Sequence, residues 1–315
     1  MSSPSSSGRR IGYLGPAGTF AEQALLTQPD LANDVLVPMP DVIDALDGVV
    51  SGELELAFVP IENSIEGTVH STQDALAFTH DLFIQREVIL DVELCLMALP
   101  GSRLSDIKRV VTHPIPAAGC RSFIARELVK AETSTANSTA DAARIIGEER
   151  TPGTAAIGTA LAAKLYGLEV IATDIADHKG NQTRFVVVAR DVVPEPTGHD
   201  KTTVVVYQRA NVPGSLISIL QEFAARRIDL SKLESRPTKT GGIGNYCFLI
   251  DAVGHIDDEL MADCLRELHA KQGGVRFLGS YRAAGEHGDD VRTEAEQRWR
   301  EADEWITGLR NRVER

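Results

Sequence analysis

The sequence predicts an α/β protein of about two domains followed by a charged tail. Strand and helix patterns alternate from residue 10 to about residue 190. A βαββαβ order fills residues 202–281, and a segment rich in proline and glycine, residues 191–201, lies before it. A length of 315 residues accommodates the cores of about two domains. We therefore expect an α/β domain at 10–190, a linker at 191–201 and a ferredoxin-like domain at 202–281.

Composition excludes several classes of protein. Hydrophobic residues at 43% and charged residues at 24% are ordinary for a globular chain, and no run approaches the roughly 18 apolar residues of a membrane helix. A net charge of −13 argues against nucleic-acid binding, which depends on neutralising phosphates. We expect neither a membrane nor a nucleic acid as partner.

The N-terminal residues and the cysteines support two further expectations. Residues 1–9 have no apolar run behind their basic residues, so we expect a disordered tail rather than a secretory signal. Cys95, Cys120, Cys247 and Cys264 show no paired spacing, which favours free thiols in a reducing cytoplasm.

The first strand and helix meet at a glycine-rich turn. Arg10–Leu14 is a predicted strand, and Thr19 is expected to cap a helix over Phe20–Leu26 while Glu22 reaches back to Thr19 in a capping box. Such a turn either presents amides to an anion or serves as a plain βα connection. It matches neither a dinucleotide fingerprint nor a P-loop.

A polar block follows the next predicted strand. After a helix over Asp41–Val50, a strand over Leu56–Val59 is expected to end at Pro60, and a helix is expected over Ser71–Ala77. The block between them carries five polar side chains: Glu62, Asn63, Ser64, Glu66 and Thr68. These side chains either orient a ligand at the carboxyl edge of a sheet or serve as turn and cap residues.

Two long extended runs then interrupt the βα alternation. The runs Leu82–Leu90 and Val92–Leu99 have no helix between them, which is typical of a crossover from one lobe to another. The predicted elements after them are a strand at Arg109–Thr112, a helix at Ala117–Val129, a helix at Ala142–Glu148 after a cap near Ser138, a strand at Ala155–Ile157, a helix at Leu161–Tyr166 and a strand at Glu169–Ala172.

Thr183 and Arg184 lie where a loop enters an apolar strand. Gly180 and Asn181 favour a loop, and the valines after Phe185 favour a buried strand. A rigid strand start can present a hydroxyl and a guanidinium to a ligand, since arginine binds carboxylates through two donors. The alternative is an ordinary alternating strand with a solvated Arg184.

Two histidines are candidate general acids, and no metal site is expected. His113 and His178 fall in loops at strand ends, and histidine titrates near neutrality. Neither has ligand spacing to other histidines, cysteines or carboxylates, so we expect no metal.

The C-terminal part has its own compact pattern. Its predicted elements are strands at Thr202–Gln208, Leu230–Arg236, Asn245–Asp251 and Val275–Tyr281 and helices at Gly214–Arg226 and Asp257–Lys271, with a hairpin turn at Gly241–Gly244. The start of its first helix can either dock an amino acid's carboxylate or stay unliganded. Residues 282–315 are charged, and Glu294–Val313 is either helical or half-ordered.

Two separate motifs resemble those of prephenate dehydratases with a C-terminal ACT regulatory domain. One runs from Tyr166-Gly167-Leu168 through Ile171 and Asp177 to Thr183-Arg184-Phe185-Val186, and the other is Leu230–Pro237. The resemblance covers residues 10 to 281. It implies two α/β lobes similar to type 2 periplasmic binding proteins with a cleft between them, plus a ferredoxin-like ACT domain. It also implies a lyase, without a cofactor, that converts prephenate to phenylpyruvate, water and CO2 on the route to L-phenylalanine.

The resemblance assigns site residues. It implies catalytic roles for Thr183 and Glu62, and its implied substrate contacts are Arg184, Asn63, Ser64, Thr19, Phe185 and Thr112. The phenylalanine site of the regulatory domain would comprise Asn211, Val212, Pro213, Gly214, Ser215, Leu216, Glu234, Ser235, Arg236 and Pro237. Ile115 stands where relatives often carry glutamine, and Pro213–Leu216 differ from the usual Gly-Ala-Leu-Val but keep the glycine.

We expect these residues to have different roles in the site. Arg184 would hold a substrate carboxylate, amides near Thr19 would assist, and Thr183 would donate a hydrogen bond to the departing hydroxyl. Glu62 or Glu66, made a weaker acid by burial, is the rival proton donor.

The resemblance also leaves rival functions open and implies an assembly. Arogenate is an alternative substrate, and a non-catalytic amino-acid sensor is an alternative function. Side-by-side ACT domains imply a homodimer or homotetramer with L-phenylalanine as effector.

Overall fold

A computed structural model describes residues 8–239, 245–284, 301 and 304–312. These divide into two compact units. The first unit comprises Met1–Ala75 and Val88–Val188, and the second comprises Leu76–Glu87 and Ala189–Arg315, so the chain passes between the units more than once.

The first unit contains most of the helices and strands. In chain order they are β1 (Arg10–Leu14), α1 (Phe20–Leu26), β2 (Val35–Met39), α2 (Val42–Ser51), β3 (Leu56–Asn63), β4 (Gly67–Thr68), α3 (His70–Asp74), the end of β5 (Phe83–Asp91), β6 (Cys95–Ala98), β7 (Arg109–Thr112), α4 (Pro114–Gly119), α5 (Arg121–Glu127), β8 (Glu132–Thr135), α6 (Thr139–Glu149), β9 (Thr154–Gly158), α7 (Ala160–Leu165), β10 (Glu169–Ala172) and β11 (Gln182–Ala189).

The strands of this unit form two sheets, one in each lobe. In the first lobe the order is β5-β11-β3-β1-β2, with β1 parallel to β2 and β3, and β11 antiparallel to β3. In the second lobe the order is β10-β6-β9-β7-β8. Successive residues of β6 alternate between two cores, since Leu96 belongs to one apolar cluster and Met97 to the other. The predicted crossover is confirmed, because β5 belongs to the first of these sheets and β6 to the second.

The second unit has the predicted ferredoxin-like order. Its elements are β12 (Asp200–Tyr207), α8 (Ser215–Ala225), β13 (Leu230–Pro237), β14 (Tyr246–Val253), α9 (Glu259–Lys271) and β15 (Gly274–Arg282). Its antiparallel strands lie in the order β13-β14-β12-β15. Both helices cover one face, where Ile219, Phe223 and Leu268 are buried with Val204. The α/β class and the βαββαβ order are thus confirmed.

The prediction that Pro60 ends its strand is wrong. β3 continues to Asn63, and its register with β11 shifts between Arg184 and Phe185, so that Phe185 lies opposite Pro60 and Arg184 opposite Glu62. A bulge tolerates a residue that has no N–H to donate to the ladder. The strand therefore ends four residues beyond its predicted end at Val59, and these added residues include its polar end.

Two helix predictions need correction. The helix predicted over Ser71–Ala77 is α3 followed by a π-helical turn at Ala75–Thr79. The helix predicted over Ala117–Val129 starts earlier, with Pro114 in its first turn, and divides at Cys120 into α4 and α5. Proline is well accommodated in a first turn, where its missing N–H is not needed.

Two strands were not predicted, and one helix cap differs from its prediction. β2 and β8 were not predicted. The capping box is also altered, because Glu22 accepts a hydrogen bond from the Gly18 N–H rather than from Thr19. The predicted turn at Gly241–Gly244 lies outside the described residues, and within the predicted tail helix the structure describes a helical stretch over residues 304–310.

All four cysteines are free, as predicted, and all four are buried. Burial raises the pKa of the Cys120 thiol to about 12, with the Asp177 carboxylate adding to the shift. Burial likewise raises the pKa of Cys264 to about 12.

Candidate active site

Thr183 is the second residue of β11 and lies at the end of the ladder that β11 forms with β3. In this antiparallel pair Thr183 lies opposite Asn63, and Arg184 lies opposite Glu62. Because side chains alternate along a strand, the Thr183 pair and the Arg184 pair point to opposite faces of the sheet. The sequence expectation that a loop enters a strand here is confirmed, but the two adjacent side chains are directed apart.

Asn63 organises the polar end of β3. Its Oδ1 accepts hydrogen bonds from the backbone N–H of Ile65 at 2.9 Å and of Glu66 at 3.0 Å. Those two donors fix which end of the carboxamide is oxygen, so Nδ2 points the other way. Nδ2 donates to Thr183 Oγ1 at 2.9 Å and to Asn181 Oδ1 at 2.9 Å.

The Thr183 hydroxyl consequently accepts one hydrogen bond and keeps its own proton available. Asn63 supplies the accepted bond, and the Thr183 hydroxyl donates no hydrogen bond to any residue in the described part of the chain. A hydroxyl whose lone pair is already used by a fixed donor can be directed by that bond towards a ligand.

Asn181 is a second prepared donor, and sequence reasoning missed it. Its Oδ1 accepts from Asn63 Nδ2 and, at 3.3 Å, from Ser64 Oγ. Its Nδ2 hydrogens then remain for other partners. The signal in the sequence was a carboxamide two residues before Thr183, on the same side of the extended chain, but its residue type favoured a turn interpretation.

A cavity of about 540 Å³ opens beside these groups. Both lobes of the first unit contribute to its wall, which is made of Phe20, Asn63, Ile65, Glu66, Val92, Leu94, Pro114, Ile115, Pro116, Ala118, Gly119, Ala176, His178, Asn181 and Thr183. Of the predicted site residues, Thr183 and Asn63 line it. Such a wall, largely apolar with a few converging polar groups, is typical of a small-molecule site.

The cavity has few charged side chains. Among its described lining residues, His178 is the basic one and Glu66 the acidic one. His178 makes no hydrogen bond or ion pair with any described residue, so its imidazole is available to a ligand. Sequence reasoning named His178 and Glu66 only as alternatives.

Arg184 and Glu62 lie outside this wall and bind each other. Arg184 Nη1 and Glu62 Oε2 are 3.4 Å apart, with 11% of the Arg184 side chain and 36% of the Glu62 side chain exposed. Their position on the face opposite Thr183 does not favour the expected direct grip of Arg184 on a substrate carboxylate.

The remaining predicted contacts have structural partners. Phe185 is buried and stacks on Phe58 with ring centroids 5.1 Å apart. Thr112 is fully buried and donates to the Ile157 carbonyl at 3.0 Å. The Thr19 hydroxyl donates to the Leu14 carbonyl at 2.9 Å and caps α1.

Ser64 lies beside the cavity rather than in its wall. Its Oγ accepts from the Gln182 N–H at 2.9 Å and thereby ties the end of β3 to the start of β11.

The second unit holds a separate cavity of about 370 Å³. Its lining residues come from the β12–α8 loop and from the two sides of the β13–β14 hairpin: Tyr207, Gln208, Arg209, Ala210, Asn211, Thr238, Asn245 and Tyr246. Of the predicted regulatory residues, Asn211 lines it. Gly214 caps α8 at a φ of 88°, a backbone conformation that favours glycine, and the Ser215 hydroxyl accepts from Gln208 Nε2 at 2.6 Å.

The rest of the predicted regulatory set lies near this cavity or along β13. Val212 is exposed, and Glu234, Ser235, Arg236 and Pro237 form the end of β13, with Glu234 Oε2 3.7 Å from Lys232 Nζ.

The described residues lack two features. No helix there is both long and apolar enough to span a bilayer. No group of three or more histidine, cysteine or acidic side chains in that part of the chain is placed to hold a metal ion.

Comparison with known proteins identifies both parts of the chain. The prephenate dehydratase family profile matches residues 11–192, and the ACT domain profile matches residues 202–270. A prephenate dehydratase of Mycolicibacterium vanbaalenii is 42% identical over 314 residues, which cover 95% of this chain and 98% of that protein.

Solved structures are also similar to this chain. The crystal structure of prephenate dehydratase from Arthrobacter aurescens in complex with L-Phe matches with a TM-score of 0.87 and 41% identity, over 96% of this chain and 99% of that one. GqqA, described as a novel type of quorum-quenching acylase, matches with a TM-score of 0.77 and 30% identity, over 88% and 98% of the two chains. This chain belongs to the prephenate dehydratase family and carries a C-terminal ACT domain.

Proposed function

We propose that prephenate binds in the 540 Å³ cavity and that Thr183 donates a hydrogen bond to its departing hydroxyl. The observation that carries this assignment is the Asn63–Thr183 bond, which occupies the hydroxyl oxygen and leaves the proton for the ligand. The reaction is the one expected of the family, in which prephenate loses water and CO2 to give phenylpyruvate.

The reaction requires a correctly positioned hydrogen-bond donor rather than a strong acid. The bond from the ring to its carboxylate breaks and CO2 leaves, its electron pair enters the ring, and the C–O bond to the hydroxyl breaks as the ring becomes aromatic. No net oxidation or reduction occurs, so a redox cofactor is not required. A threonine hydroxyl is too weak an acid for ordinary proton transfer, so Thr183 would stabilise the negative charge that develops on the departing oxygen.

The proton that completes the water molecule has a candidate source in Glu66. Its carboxyl group belongs to a residue of the cavity wall, whereas Glu62 is engaged with Arg184. We assign Glu62 and Arg184 a supporting role, in which their ion pair holds the ends of β3 and β11 together.

The dianionic substrate would be held by His178 and the Asn181 amide, and its ring by the apolar wall. His178 is the basic side chain among the described lining residues, and Phe20 and Leu94 present apolar surface. A few fixed polar groups then orient the ring while the apolar residues exclude water.

The test is turnover with Thr183 altered. Purified protein is incubated with prephenate, and phenylpyruvate is followed by its absorbance in alkali. Thr183→Val should lower kcat by about 10²- to 10³-fold, while the matched Thr183→Ser, which keeps a hydroxyl, should retain most activity. Wild-type turnover by Thr183→Val would overturn the assignment.

Arogenate remains a second candidate substrate, because Glu66 lies in the wall. Arogenate carries an ammonium group where prephenate has a keto group, and a carboxylate suits that cation. Glu66→Gln should raise KM for arogenate more than KM for prephenate if arogenate is used. An equal effect on both would leave prephenate as the substrate.

Acyl hydrolysis, the activity in the description of GqqA, fits Thr183 less well. A nucleophilic hydroxyl needs a base within hydrogen-bond reach, whereas the described partner of Thr183 is the amide donor of Asn63.

We further propose that L-phenylalanine binds the second unit at residues 211–216, with residues 234–237 contributed by a second copy of the chain. The cavity beside Asn211 and the exposed Val212, Ile217 and Leu233 support a ligand site next to an apolar contact between copies. The assembly would be a homodimer or homotetramer. For regulation, phenylalanine must bind two global states unequally.

Calorimetric titration tests this site. Asn211→Ala should weaken phenylalanine binding about tenfold or more, and light scattering should show at least a dimer. Tight binding by that variant or a monomeric wild type would contradict the proposal.

The four free, buried thiols support a cytoplasmic location. We propose domain limits at 10–190 and 202–281, with residues 1–9 and 282–315 as tails and 191–201 as a linker.

A further inference from the structure

The loop between β1 and α1 is held by hydroxyl groups from the second lobe of the first unit. Thr159 Oγ1 donates to the Gly18 carbonyl at 2.7 Å, and Tyr166 OH donates to the Ala17 carbonyl at 2.8 Å. Thr159 is fully buried, and the two donors lie at opposite ends of α7. Two adjacent carbonyls of one loop are therefore bound by the two cap residues of one short helix.

The packing at Gly18 shows that the loop lies directly against α7. Gly18 has a φ of +91°, and a Cβ there would lie 3.1 Å from both Cα and Cβ of Ala162. A larger residue would push the loop away from the helix. The Gly18 N–H is also bound, by Glu22, so both the carbonyl and the amide of this residue are fixed.

This loop positions Phe20. This residue begins α1 two positions after Gly18, packs against the core of the second lobe and lines the cavity beside Thr183. An aromatic wall residue shapes a small-molecule site, and errors of about 1 Å in such a wall are felt in binding.

We propose that Thr159 and Tyr166 are positioning residues for the dehydratase reaction, which hold residues 15–19 so that Phe20 forms one wall of the substrate cavity. They act through the loop and touch neither the substrate nor the reacting atoms. This inference rests on the proposed function of the cavity.

Tyr166 remains a donor over the whole range in which the enzyme would be assayed. Burial raises its pKa above the ordinary value of 10.0, and the nearby Glu22 carboxylate raises it further against the opposing effect of Arg144. The hydroxyl is thus protonated at neutral pH and can hold the Ala17 carbonyl.

The test removes single hydroxyl groups and separates KM from kcat. In Tyr166→Phe, KM for prephenate should rise about five- to tenfold, because one hydrogen bond is lost, while kcat stays within about threefold. Thr159→Val should raise KM further, and Thr159→Ser should restore it because serine keeps both the bond to Gly18 and the cap on α7. Hydrogen exchange at the amides of residues 18–22 should accelerate in Tyr166→Phe.

Tyr281→Phe is the matched control. It also loses a buried tyrosine hydroxyl, one that contacts Thr203 Oγ1 at 2.6 Å in the second unit, and its KM should equal that of the wild type. Wild-type KM and wild-type exchange in Tyr166→Phe would overturn the inference, even if its melting temperature falls. If Thr183→Val retains full turnover, the proposed function fails instead, so the two failures are distinguishable.

Discussion

Replacing Asn63 by aspartate should disable Thr183 without removing it. The carboxylate keeps one oxygen for the N–H groups of Ile65 and Glu66, so the turn after β3 is retained. Its second oxygen cannot donate to Thr183 Oγ1 or to Asn181 Oδ1, as the amide does at 2.9 Å in each case. Instead it would accept the Thr183 proton and withdraw that proton from the cavity.

The size of the effect follows from which bonds are exchanged. Two neutral hydrogen bonds are lost, and one bond to a carboxylate is gained, so the free energy of unfolding should fall by only about 1 to 2 kcal/mol. In the reaction, however, a donor to the departing oxygen is lost, which is worth about 2.7–4 kcal/mol, or about 10²- to 10³-fold in kcat. The added negative charge should also raise KM for a dianion, so kcat at saturation is the quantity to compare.

The assay is a double-mutant cycle on kcat with Asn63→Asp and Thr183→Val. Because both changes remove the same donor, the double variant should be no slower than the slower single variant, within about threefold. Asn33→Asp is the control for added charge, since Asn33 is exposed and donates only to the Pro29 carbonyl. Losses in kcat that multiply in the double variant would refute the reasoning.

Three further outcomes are expected. His178→Gln should raise KM for prephenate about tenfold with little change in kcat, and an unchanged KM would remove His178 from the site. Glu62→Gln should lower the free energy of unfolding by about 1 to 3 kcal/mol, because Arg184 loses a charged partner, yet keep kcat within about threefold; abolished turnover would return Glu62 to a catalytic role. The folded pKa of Cys120, about 12, exceeds its ordinary value of 9.0, so its contribution to stability is full below pH 9 and is lost as pH rises towards 12. Urea unfolding of Cys120→Ala should therefore show a pH slope smaller by up to about 1.4 kcal/mol per unit in that range, and an unchanged slope would contradict this.

Much of the fold could be predicted from local patterns. The strand at Arg109–Thr112 and the helix at Phe20–Leu26 have the predicted bounds, because strong caps and β-branched runs mark them. β2 and β8 were missed, since Val35–Met39 contains a proline and Glu132–Thr135 is mostly polar and exposed. Such edge strands are defined by their partners rather than by their own composition.

The site was also predicted only in part, because it too depends on contacts between segments that are distant in the sequence. The block around Asn63 and the segment around Thr183 are far apart in the chain, and the sheet register brings this pair together. Arg184 was assigned to the ligand because its chemistry suits a carboxylate, but the alternation of a strand turns it away from Thr183. The apolar wall from Phe20 and α4 depends on how the lobes pack, which periodicity does not report.

The bulge beside Pro60 determines which residue of β3 pairs with Thr183. Continuing the ladder from the Phe185–Pro60 pair without interruption would place Arg184 opposite Ile61 and Thr183 opposite Glu62. One extra residue in β3 is therefore what puts a carboxamide, rather than a carboxylate, across from the hydroxyl. Closing the bulge without changing the length of the chain would leave every side chain of the two motifs in the sequence and still exchange the partner of Thr183. In comparing relatives, the register between these two strands therefore carries as much information about activity as the identities of their residues.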